Sequence, residues 1–190
     1  LAQESFDIRP SDTAFSLNAK CFEAGVASFS RVLDVIEADP LQTQAQDLSQ
    51  RSYFELAARP ENHAILDPTQ SRETALRLLR ALDHGPYWNP LSATKLCING
   101  TFVDVNDAEL ADNSSGEPGE VLAVTGQNLT LAFADGALRF RISEHTQIGV
   151  ATGDIATPYR LSDAEKELLR KAAKADGFWR KRLAQMIPCL

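Results

Sequence analysis

The side chains able to do acid–base or nucleophilic chemistry are scattered through this sequence of 190 residues. The three histidines, His63, His84 and His145, lie in separate segments, and none has the spacing of a metal-ligand pair. Glu144 and His145 are neighbours, which could act as a general acid–base pair only if folding placed a nucleophile beside them. Because neighbours on a strand point to opposite faces, we prefer to interpret His145 as an ordinary surface histidine.

Carboxylates and phosphate-binding loops give no stronger signal. Asp7, Asp12 and Asp34 fall at a predicted strand end and on a predicted helix, which argues against a catalytic carboxylate pair. The sequence contains no glycine-rich phosphate loop and no serine in a nucleophile elbow. It therefore predicts no catalytic, cofactor-binding or metal-binding residue, and by its residues alone this is a non-catalytic stretch.

The cysteines and the first residues indicate the compartment and the extent of the chain. Cys21, Cys97 and Cys189 are odd in number and far apart, so we expect reduced thiols. There is no signal-peptide pattern and no apolar run long enough to span a bilayer, and we expect a cytoplasmic protein. Leu1 is not a methionine and begins a strand-like stretch, so we also expect a fragment of a longer protein.

Charge is distributed unevenly over a chain whose net charge is −7. Residues 161–190 contain seven basic and four acidic side chains, whereas residues 1–160 contain 12 basic and 22 acidic ones, a net charge of −10. An acidic surface disfavours binding to the phosphate backbone of nucleic acids. The basic end could contact an acidic partner, although an exposed helix face is the simpler interpretation.

The first 70 residues predict a strand, a long helix and a linker. Leu1–Ile8 has strand character, and Ser11-Asp12-Thr13 supplies N-cap chemistry for a helix that runs to about Asp39, ahead of Pro40. Gly25 inside the helix suggests close packing against a neighbouring backbone. The apolar residues recur at three- and four-residue steps and predict one buried face: Leu17, Cys21, Phe22, Val26, Phe29, Val32, Leu33 and Ile36. Residues 41–68 lack a sustained period and predict a linker.

A second helix and an aromatic turn follow the linker. Ser71 is its predicted cap, and its apolar face comprises Ala75, Leu78, Leu79 and Leu82. The turn Gly85–Pro90 then places Tyr87 and Trp88 between two prolines. Such a turn could shape a recognition surface, but we favour a hinge whose aromatic rings cover a barrel core.

Short strands are predicted from residue 94 to residue 142. A hairpin around Asn99-Gly100 joins Thr94–Ile98 to Phe102–Val105, and residues 104–119 predict an exposed loop. Residues 119–142 alternate apolar and polar side chains in three runs, which predicts a β-meander. Asp135-Gly136 indicates a type I′ turn with positive φ at both positions. Three strands alone are marginally stable, so further strands or a helix must complete a small barrel or covered sheet.

The last 30 residues predict two helices. Leu161–Glu165 opens the first with an N-cap and early acids, and Leu168, Leu169 and Ala172 form its modest buried face. Gly177 is expected to break that helix, and Phe178–Met186 to form another.

The order of these elements resembles the formyltransferase family. Leu1–Glu4, Ile8–Leu17 and the long helix resemble the end of its catalytic domain, and residues 45–54 resemble its interdomain linker. Ile65-Leu66-Asp67, with the helix to Leu82, resembles the next element of the family. Pro118–Arg139 resembles its carboxy-terminal barrel, which is similar to an oligonucleotide-binding (OB) fold.

The resemblance implies an α+β chain in four parts. Residues 1–40 would be the trailing strand and long helix of a Rossmann-like formyltransferase domain, and 41–70 a linker. Residues 71–150 would form a small OB-like β-barrel, and 151–190 C-terminal helices leading to a condensation- or adenylation-type module. The parent would transfer a formyl group from 10-formyltetrahydrofolate to an amine. The catalytic Asn, His and Asp of the family and its folate pocket precede the position of Leu1, so none maps onto this sequence.

Two departures from the tRNA-modifying members of the family point to a different parent. Pro68 stands where the family has an aromatic residue, and Arg80–Leu91 resembles formyltransferase-like regions joined to nonribosomal peptide synthetases. Leu161–Leu190, especially Phe178–Leu183, resembles the lead-in to their condensation and adenylation modules. The implied partners are an upstream Rossmann-like half and downstream synthetase modules or a carrier domain, without nucleic acid or membrane.

Three functions remain open at this point. The chain could be the accessory half of a synthetase formyltransferase that orients an aminoacyl-carrier amine. It could be an RNA- or tRNA-binding barrel, although residues 119–142 offer only Arg139 and Arg141 for that role. It could also be a structural platform in a synthetase whose formyltransferase region is inactive. The sequence does not decide whether the parent is an active enzyme.

Overall fold

Three helices and five strands make up the computed structural model, which describes residues 2–38, 45–111, 115–143 and 149–186. The elements in chain order are α1 (Ala14–Glu37), α2 (Arg72–Leu82), β1 (Lys95–Ile98), β2 (Thr101–Ala111), β3 (Val121–Thr125), β4 (Asn128–Phe133), β5 (Gly136–Ile142) and α3 (Asp163–Ala184). Short 3₁₀ turns occur at Leu48–Gln50 and Glu61–Ala64. The predicted mixture of helices and an antiparallel sheet is confirmed.

The five strands form one curled antiparallel sheet in the order β1-β2-β5-β4-β3. A segment after the sheet, residues 153–157, bridges its two edges: Ala156 pairs with Ile98 of β1, and Ile155 pairs with Glu120 just before β3. The amide of Thr157 donates to the carbonyl of Cys97 at 2.9 Å. These bonds cover both exposed edges of the sheet, which would otherwise present unpaired backbone groups. The OB-like classification of this sheet stays a prediction.

The inner face of the curled sheet is the hydrophobic core, and α2 packs against it. Phe133 and Phe140 lie there with ring centroids 5.9 Å apart. Ala75 and Leu79 bring α2 into the same cluster, and Ser71 caps the helix as predicted. The backbone amide of Arg72 donates to the Asp135 carboxylate at 2.8 Å. A carboxylate at a helix N-terminus is favourable, so the β4–β5 turn fixes where α2 begins.

The hairpins agree with the sequence in position but not in every detail. Asn99 and Gly100 have φ values of 49° and 77°, as the predicted tight turn requires. At Asp135-Gly136 only Gly136 has a positive φ, of 135°, so the predicted type I′ geometry is wrong although the hairpin is confirmed.

The prediction of an exposed loop is wrong for residues 104–111. These residues extend β2, which pairs with β5 as far as Ala111 and Ala137. The pairing provides hydrogen-bond partners for the backbone groups of this segment, although many of its side chains are polar.

The long N-terminal helix α1 is confirmed, with Thr13 as its N-cap. The predicted strand at its start is wrong: residues 2–8 pair with no strand among the described residues, and Lys20 instead donates to the Asp7 carbonyl at 3.1 Å. The predicted buried face of α1 is also absent, since none of its residues is buried. Outside its own helix backbone, no atom lies within 4 Å of a Cβ placed on Gly25, so the close packing expected there is wrong.

Helix α3 passes through Gly177 without a break. The predicted division into two helices is wrong, because the cost of one glycine, about 1 kcal/mol, is small beside that of ending a helix among good helix formers. The predicted buried face is not formed either: Leu168 is 66% exposed, and none of the α3 residues is buried.

No helix in the described parts of the chain is both long and apolar enough to cross a bilayer.

Candidate functional site

A groove runs between the segment 57–67, α2 and the segment 159–170, and we call it the lateral groove. It consists of two depressions of about 390 and 330 Å³ that share Glu61, Asn62, Leu161 and Lys166. Its floor is apolar and includes Ile65, Leu66, Ala75, Leu78 and Leu161. Each depression falls within the size range of small-molecule sites in proteins.

The wall of the groove contains three consecutive residues in the left-handed conformation. Asn62, His63 and Ala64 have φ values of 50°, 55° and 62°. Such conformations cost about 1–2 kcal/mol per residue outside glycine and persist only where the surroundings hold them. The Asn62 amide group supplies part of that support: its Nδ2 donates to the Tyr159 carbonyl, and its Oδ1 accepts from the Leu161 amide at 2.9 Å. The strained turn thereby joins the linker to the start of the C-terminal segment.

A polar cluster of His63, Ser92 and Lys95 supports the same turn from behind. Lys95 Nζ donates to the His63 carbonyl at 3.0 Å, to Ser92 Oγ at 3.1 Å and to the Ala93 carbonyl at 2.6 Å. His63 Nδ1 lies 2.8 Å from Ser92 Oγ. Burial lowers the pKa of the Lys95 ammonium group. Burial is also the main cause of the lowered pKa of His63, and the nearby Lys95 charge lowers that pKa further.

The cluster resembles a serine–lysine nucleophile pair only in composition. All three ammonium hydrogens of Lys95 have acceptors, so this amine is a structural donor and has no lone pair to offer as a base. The Ser92 hydroxyl faces the His63 carbonyl at 3.0 Å, which is a suitable acceptor for its one hydrogen. We therefore assign the cluster the role of holding the left-handed turn.

The rim of the lateral groove carries charges of both signs. Glu61 and Asp67 are its acidic residues, and Arg59, Arg160, Lys166 and Arg170 are its basic residues. Asp67 accepts from the amide and hydroxyl of Thr69, and Lys166 pairs with Asp163 at 3.2 Å. Within the described ranges, the Glu61 carboxylate and the Arg160 guanidinium have no ion-pair partner. The groove thus combines an apolar floor with a rim on which basic side chains outnumber acidic ones.

The aromatic turn does not cover the barrel core, so the favoured prediction for Tyr87 and Trp88 is wrong. Tyr87 is 69% exposed and Trp88 52% exposed. Tyr87 contacts Phe15 at the start of α1, with 5.9 Å between ring centroids. The Arg180 guanidinium of α3 lies 3.6 Å from the Trp88 ring centroid, in cation–π geometry. The turn is a contact point between the two long helices.

The other sequence candidates remain dispersed. His84 Nδ1 lies 3.0 Å from the Leu82 carbonyl oxygen, away from His63. Asp12 forms an ion pair with Lys20 at 2.6 Å; hydrogen bonds from Lys20, the Arg9 amide and Ser16 lower the pKa of Asp12 to about 2. Glu144, His145 and Cys189 lie outside the described residues. Cys21 is an exposed and Cys97 a buried free thiol.

The described residues bring together no group of three or more potential metal ligands. The aromatic rings that line the two depressions of the lateral groove are those of Tyr159 and His63, and the resemblance places the folate pocket of the family ahead of Leu1. No chemical step is therefore assigned to a folate in this part of the chain.

Sequence reasoning missed Asn62 and the groove beside it. The segment Pro60-Glu61-Asn62-His63 contains residue types that tolerate left-handed backbone, which was the available signal. The partners of Asn62, Tyr159 and Leu161, lie 97 and 99 residues further along the chain. A pattern in the local sequence carries no information about contacts at that distance.

One face of α1 is an exposed apolar seam, which comprises Phe15, Phe22, Val26, Phe29, Leu33 and Ile36. These side chains are between 39% and 75% exposed and repeat at steps of seven, four, three, four and three residues. A regular seam of this kind is typical of a surface that packs against another protein element. Its acidic flank includes Glu23 and Glu37.

Comparison with known proteins agrees with the resemblance found in the sequence. No family model matches the chain. It is similar to the methionyl-tRNA formyltransferase of Ectopseudomonas mendocina (strain ymp), with 31% identity over 139 residues, which is 73% of this chain and 41% of that protein. The methionyl-tRNA formyltransferase of Methylococcus capsulatus (strain ATCC 33009 / NCIMB 11132 / Bath) is 30% identical over 140 residues, or 73% of this chain and 42% of that protein. The chain thus spans about two fifths of the length of these curated relatives.

Crystal structures of HypX variants from Aquifex aeolicus share the fold. One aligns over 71% of this chain and 23% of HypX with a TM-score of 0.51 and 24% identity. Another aligns over 95% of this chain and 28% of HypX with a TM-score of 0.52 and 19% identity. This chain therefore corresponds to only part of each of these proteins.

Proposed function

We propose that this chain is the non-catalytic C-terminal part of a 10-formyltetrahydrofolate-dependent formyltransferase region in a cytoplasmic nonribosomal peptide synthetase. In this proposal it orients an amine acceptor, an aminoacyl group on a carrier domain, for N-formylation. The proposed division is residues 1–40 for the end of the catalytic domain, 41–70 for the linker, 71–150 for the OB-like barrel and 151–190 for the link to the next module.

The observation that carries the proposal is the similarity to curated methionyl-tRNA formyltransferases over 73% of this chain but only 41% of their length. A partial match of this kind is expected for a chain that corresponds to one portion of the enzyme. The polar cluster at Lys95 is engaged in structural hydrogen bonds, and in our proposal it has no catalytic role.

The exposed seam of α1 supports a partner on the N-terminal side of the barrel. Six large apolar side chains on one helix face are costly to leave in water, at about 25 cal/mol for each Å² of apolar surface. In our proposal the upstream Rossmann-like half covers this seam. The seam would then join the catalytic centre of the parent to the barrel and the lateral groove.

Charge favours an aminoacyl carrier over tRNA as the acceptor. Residues 1–160 carry a net charge of −10, which repels a polyanion at long range. The β-meander contains two arginines, and one of them, Arg139, forms an ion pair with Glu109 at 2.8 Å. The Glu109 carboxylate offsets the charge that Arg139 would offer to a phosphate group. The synthetase context itself rests on the sequence of residues 80–91 and 161–190.

In the parent, the chemistry would belong to the upstream half. A neutral amine would attack the formyl carbon while a histidine and a carboxylate move protons and an asparagine stabilises the oxyanion. This chain would hold the acceptor in position, and positioning alone can contribute substantially to a rate.

The test is formyl transfer by the longer parent protein, with mass spectrometry of the acceptor as the readout. We expect N-formylated aminoacyl-carrier in the presence of 10-formyltetrahydrofolate, and little product with aminoacyl-tRNA. Replacing Phe22 and Phe29 by Glu should reduce transfer strongly, because charges in the seam oppose docking of the upstream half. Leu56→Glu is the matched control, since Leu56 is 99% exposed outside the seam.

Two other functions predict different results in the same assay. An inactive structural platform gives no formylated acceptor even when the upstream half is intact. An RNA-binding barrel favours aminoacyl-tRNA over the carrier and loses this preference as salt is raised. Either result would contradict the proposal.

A further inference from the structure

An apolar stripe runs along the exposed side of α3, and we call it the α3 stripe. Its members recur at steps of four, three, four and four residues: Leu168, Ala172, Ala175, Trp179 and Leu183. Met186 continues the stripe in the turn after α3, where its amide donates to the Leu183 carbonyl at 3.1 Å. The large side chains of the stripe are between 54% and 66% exposed. Residues at these steps share one helix face, so the stripe is a continuous apolar surface open to solvent.

A different face of α3 holds the helix to its own chain. Leu169 lines the lateral groove, and the Arg180 guanidinium lies 3.6 Å from the Trp88 ring centroid. Leu169 and Arg180 are eleven positions apart, which is close to three full turns, so they lie on the same side of the helix. That side adjoins the α3 stripe without including it. The stripe can therefore contact another protein while α3 stays attached to this chain.

Basic side chains surround the α3 stripe. Residues 170–186 contain six basic side chains and one acidic side chain, a net charge of +5. Among the described residues, the ion pairs of α3 lie in its first half, up to Lys171. Lys174, Lys181 and Arg182 are thus available to charges on a partner. An apolar face flanked by such cations is complementary to an acidic amphipathic helix.

We propose that the α3 stripe docks an acidic amphipathic helix of the carrier domain that bears the acceptor. Apolar residues of that helix cover Trp179 and Leu183, and its carboxylates pair with Lys174, Lys181 and Arg182, as flanking charges do in helix pairs. The assignment to a carrier domain rests on the proposed function, whereas the acidic chemistry of the helix rests on α3 alone. The body of the carrier makes this contact, so the aminoacyl group stays free to reach the catalytic centre of the upstream half.

The shape and charge of α3 favour a protein helix over an anionic membrane. A helix that lies on a bilayer presents a broad apolar face, whereas the α3 stripe is narrow and has Asp176 at its border. Helix α3 also begins with acidic side chains, Asp163, Glu165 and Glu167, which an anionic surface repels. A partner helix needs only a narrow seam of this kind.

A ¹⁵N–¹H NMR titration of this chain with two designed peptides tests the proposal. Both peptides are amphipathic helices of about 21 residues, or three heptads, with leucine at the a and d positions. One carries glutamate at the flanking positions, and the other carries lysine there. We expect the acidic peptide to bind saturably, with chemical-shift changes centred on residues 168–186. The basic peptide should bind about tenfold more weakly, the effect of three ion pairs of ordinary surface strength.

Leu183→Glu should abolish binding of the acidic peptide, because it places a carboxylate within the α3 stripe. Leu56→Glu is the matched control, since Leu56 is 99% exposed and lies outside the stripe. Replacing Lys174, Lys181 and Arg182 together by Glu should reverse the preference, so that the basic peptide binds more tightly. All of these side chains are exposed, so the circular dichroism spectra of the variants should match that of the wild type.

Three results would overturn the proposal. The first is equal affinity for the two peptides, or shift changes outside residues 168–186. The second is self-association of this chain that Leu183→Glu abolishes, which would mean that a second copy covers the stripe. The third is saturable binding to vesicles of equal parts phosphatidylserine and phosphatidylcholine without binding of the acidic peptide, which would identify a membrane surface.

The two proposals can fail separately. In the parent, Leu183→Glu should raise the KM for the aminoacyl-carrier about tenfold and leave kcat unchanged, because docking precedes the chemical step. Formyl transfer with an unchanged KM in this variant, and no preference for the acidic peptide, refutes the docking surface alone. Selective binding of the acidic peptide without formyl transfer by the parent refutes the proposed function and leaves a docking surface for an acidic helix.

Discussion

Asn62 shows how one residue can fix the relation between distant segments. Its left-handed backbone, with φ of 50°, turns the side chain towards the backbone of Tyr159 and Leu161. The backbone conformation and the two hydrogen bonds depend on each other, since neither bond forms if the residue adopts a standard helical or extended φ. Substitutions can separate the two contributions.

Asn62→Gly keeps the left-handed conformation and removes the side-chain hydrogen bonds, which should cost about 1–2 kcal/mol of unfolding free energy. Asn62→Ala removes the bonds and also places a Cβ at positive φ, which should cost about 1–2 kcal/mol more. Urea denaturation measures both values. A glycine variant less stable than the alanine variant would contradict the role of backbone strain.

His63 provides a pH-dependent contribution beside Asn62. Burial, followed by the Lys95 charge, lowers the pKa of the folded-state imidazole below 6.5. Below pH 6.5 the unfolded chain therefore takes up a proton that the folded chain resists, so the stability present above that pH is lost as the pH falls. Unfolding free energies of the wild type and His63→Gln should converge as the pH is lowered from 7 towards the folded-state pKa. Parallel curves would contradict this assignment.

At the scale of elements, glycines have opposite roles in α3 and in the closure of the sheet. Gly177 lies inside α3, where an added methyl group would meet no atom within 4 Å outside its own helix backbone. Gly119 has φ of 97°, and a Cβ there would clash with the Ala156 carbonyl oxygen, in the segment that bridges the sheet edges. Its own carbonyl accepts from the Ala156 amide at 2.7 Å.

Gly177→Ala should therefore stabilise α3, by about 0.5–1 kcal/mol, because alanine has the higher helix propensity. Gly119→Ala should destabilise the protein by more than about 2 kcal/mol, because it combines positive φ with a backbone clash. Helicity by circular dichroism and thermal unfolding measure these effects. A loss of helicity in Gly177→Ala would mean that α3 does not pass continuously through this position.

The whole molecule is acidic with one basic end. The net charge of −7 combines −10 over residues 1–160 with +3 over residues 161–190. Contacts between α3 and the rest of the chain include Arg180 on Trp88 and Arg170 near Glu55, at 4.0 Å between their charged atoms. Part of the basic character of α3 is thus directed at its own chain and not at an external polyanion.

We expect this chain to bind tRNA weakly and with little dependence on salt. Counterion release makes the affinity of phosphate-binding proteins fall steeply with salt, and an acidic surface contributes few such contacts. Filter binding from low to physiological salt measures the slope. A tight complex at low salt that weakens steeply with added salt would favour the RNA-binding alternative.

The local elements of this protein follow from short-range patterns in its sequence. The capping residues Thr13, Ser71 and Ser162 begin the three helices where predicted, since caps act through hydrogen bonds within a few residues. Alternating apolar residues predicted the strands of the meander and its core, because the alternation of side chains along a strand is also a local property. The family resemblance was also present in the sequence and agrees with the curated relatives.

Which surfaces are covered and which distant residues are in contact depends on the three-dimensional fold. The apolar face of α1 has the periodicity of a buried face but is exposed, because periodicity shows that a partner is needed and not that it is present. Trp88 contacts Arg180 and Asn62 contacts Tyr159 across about half of the chain. These contacts depend on how the sheet closes and where α3 returns, and local residue preferences do not specify either.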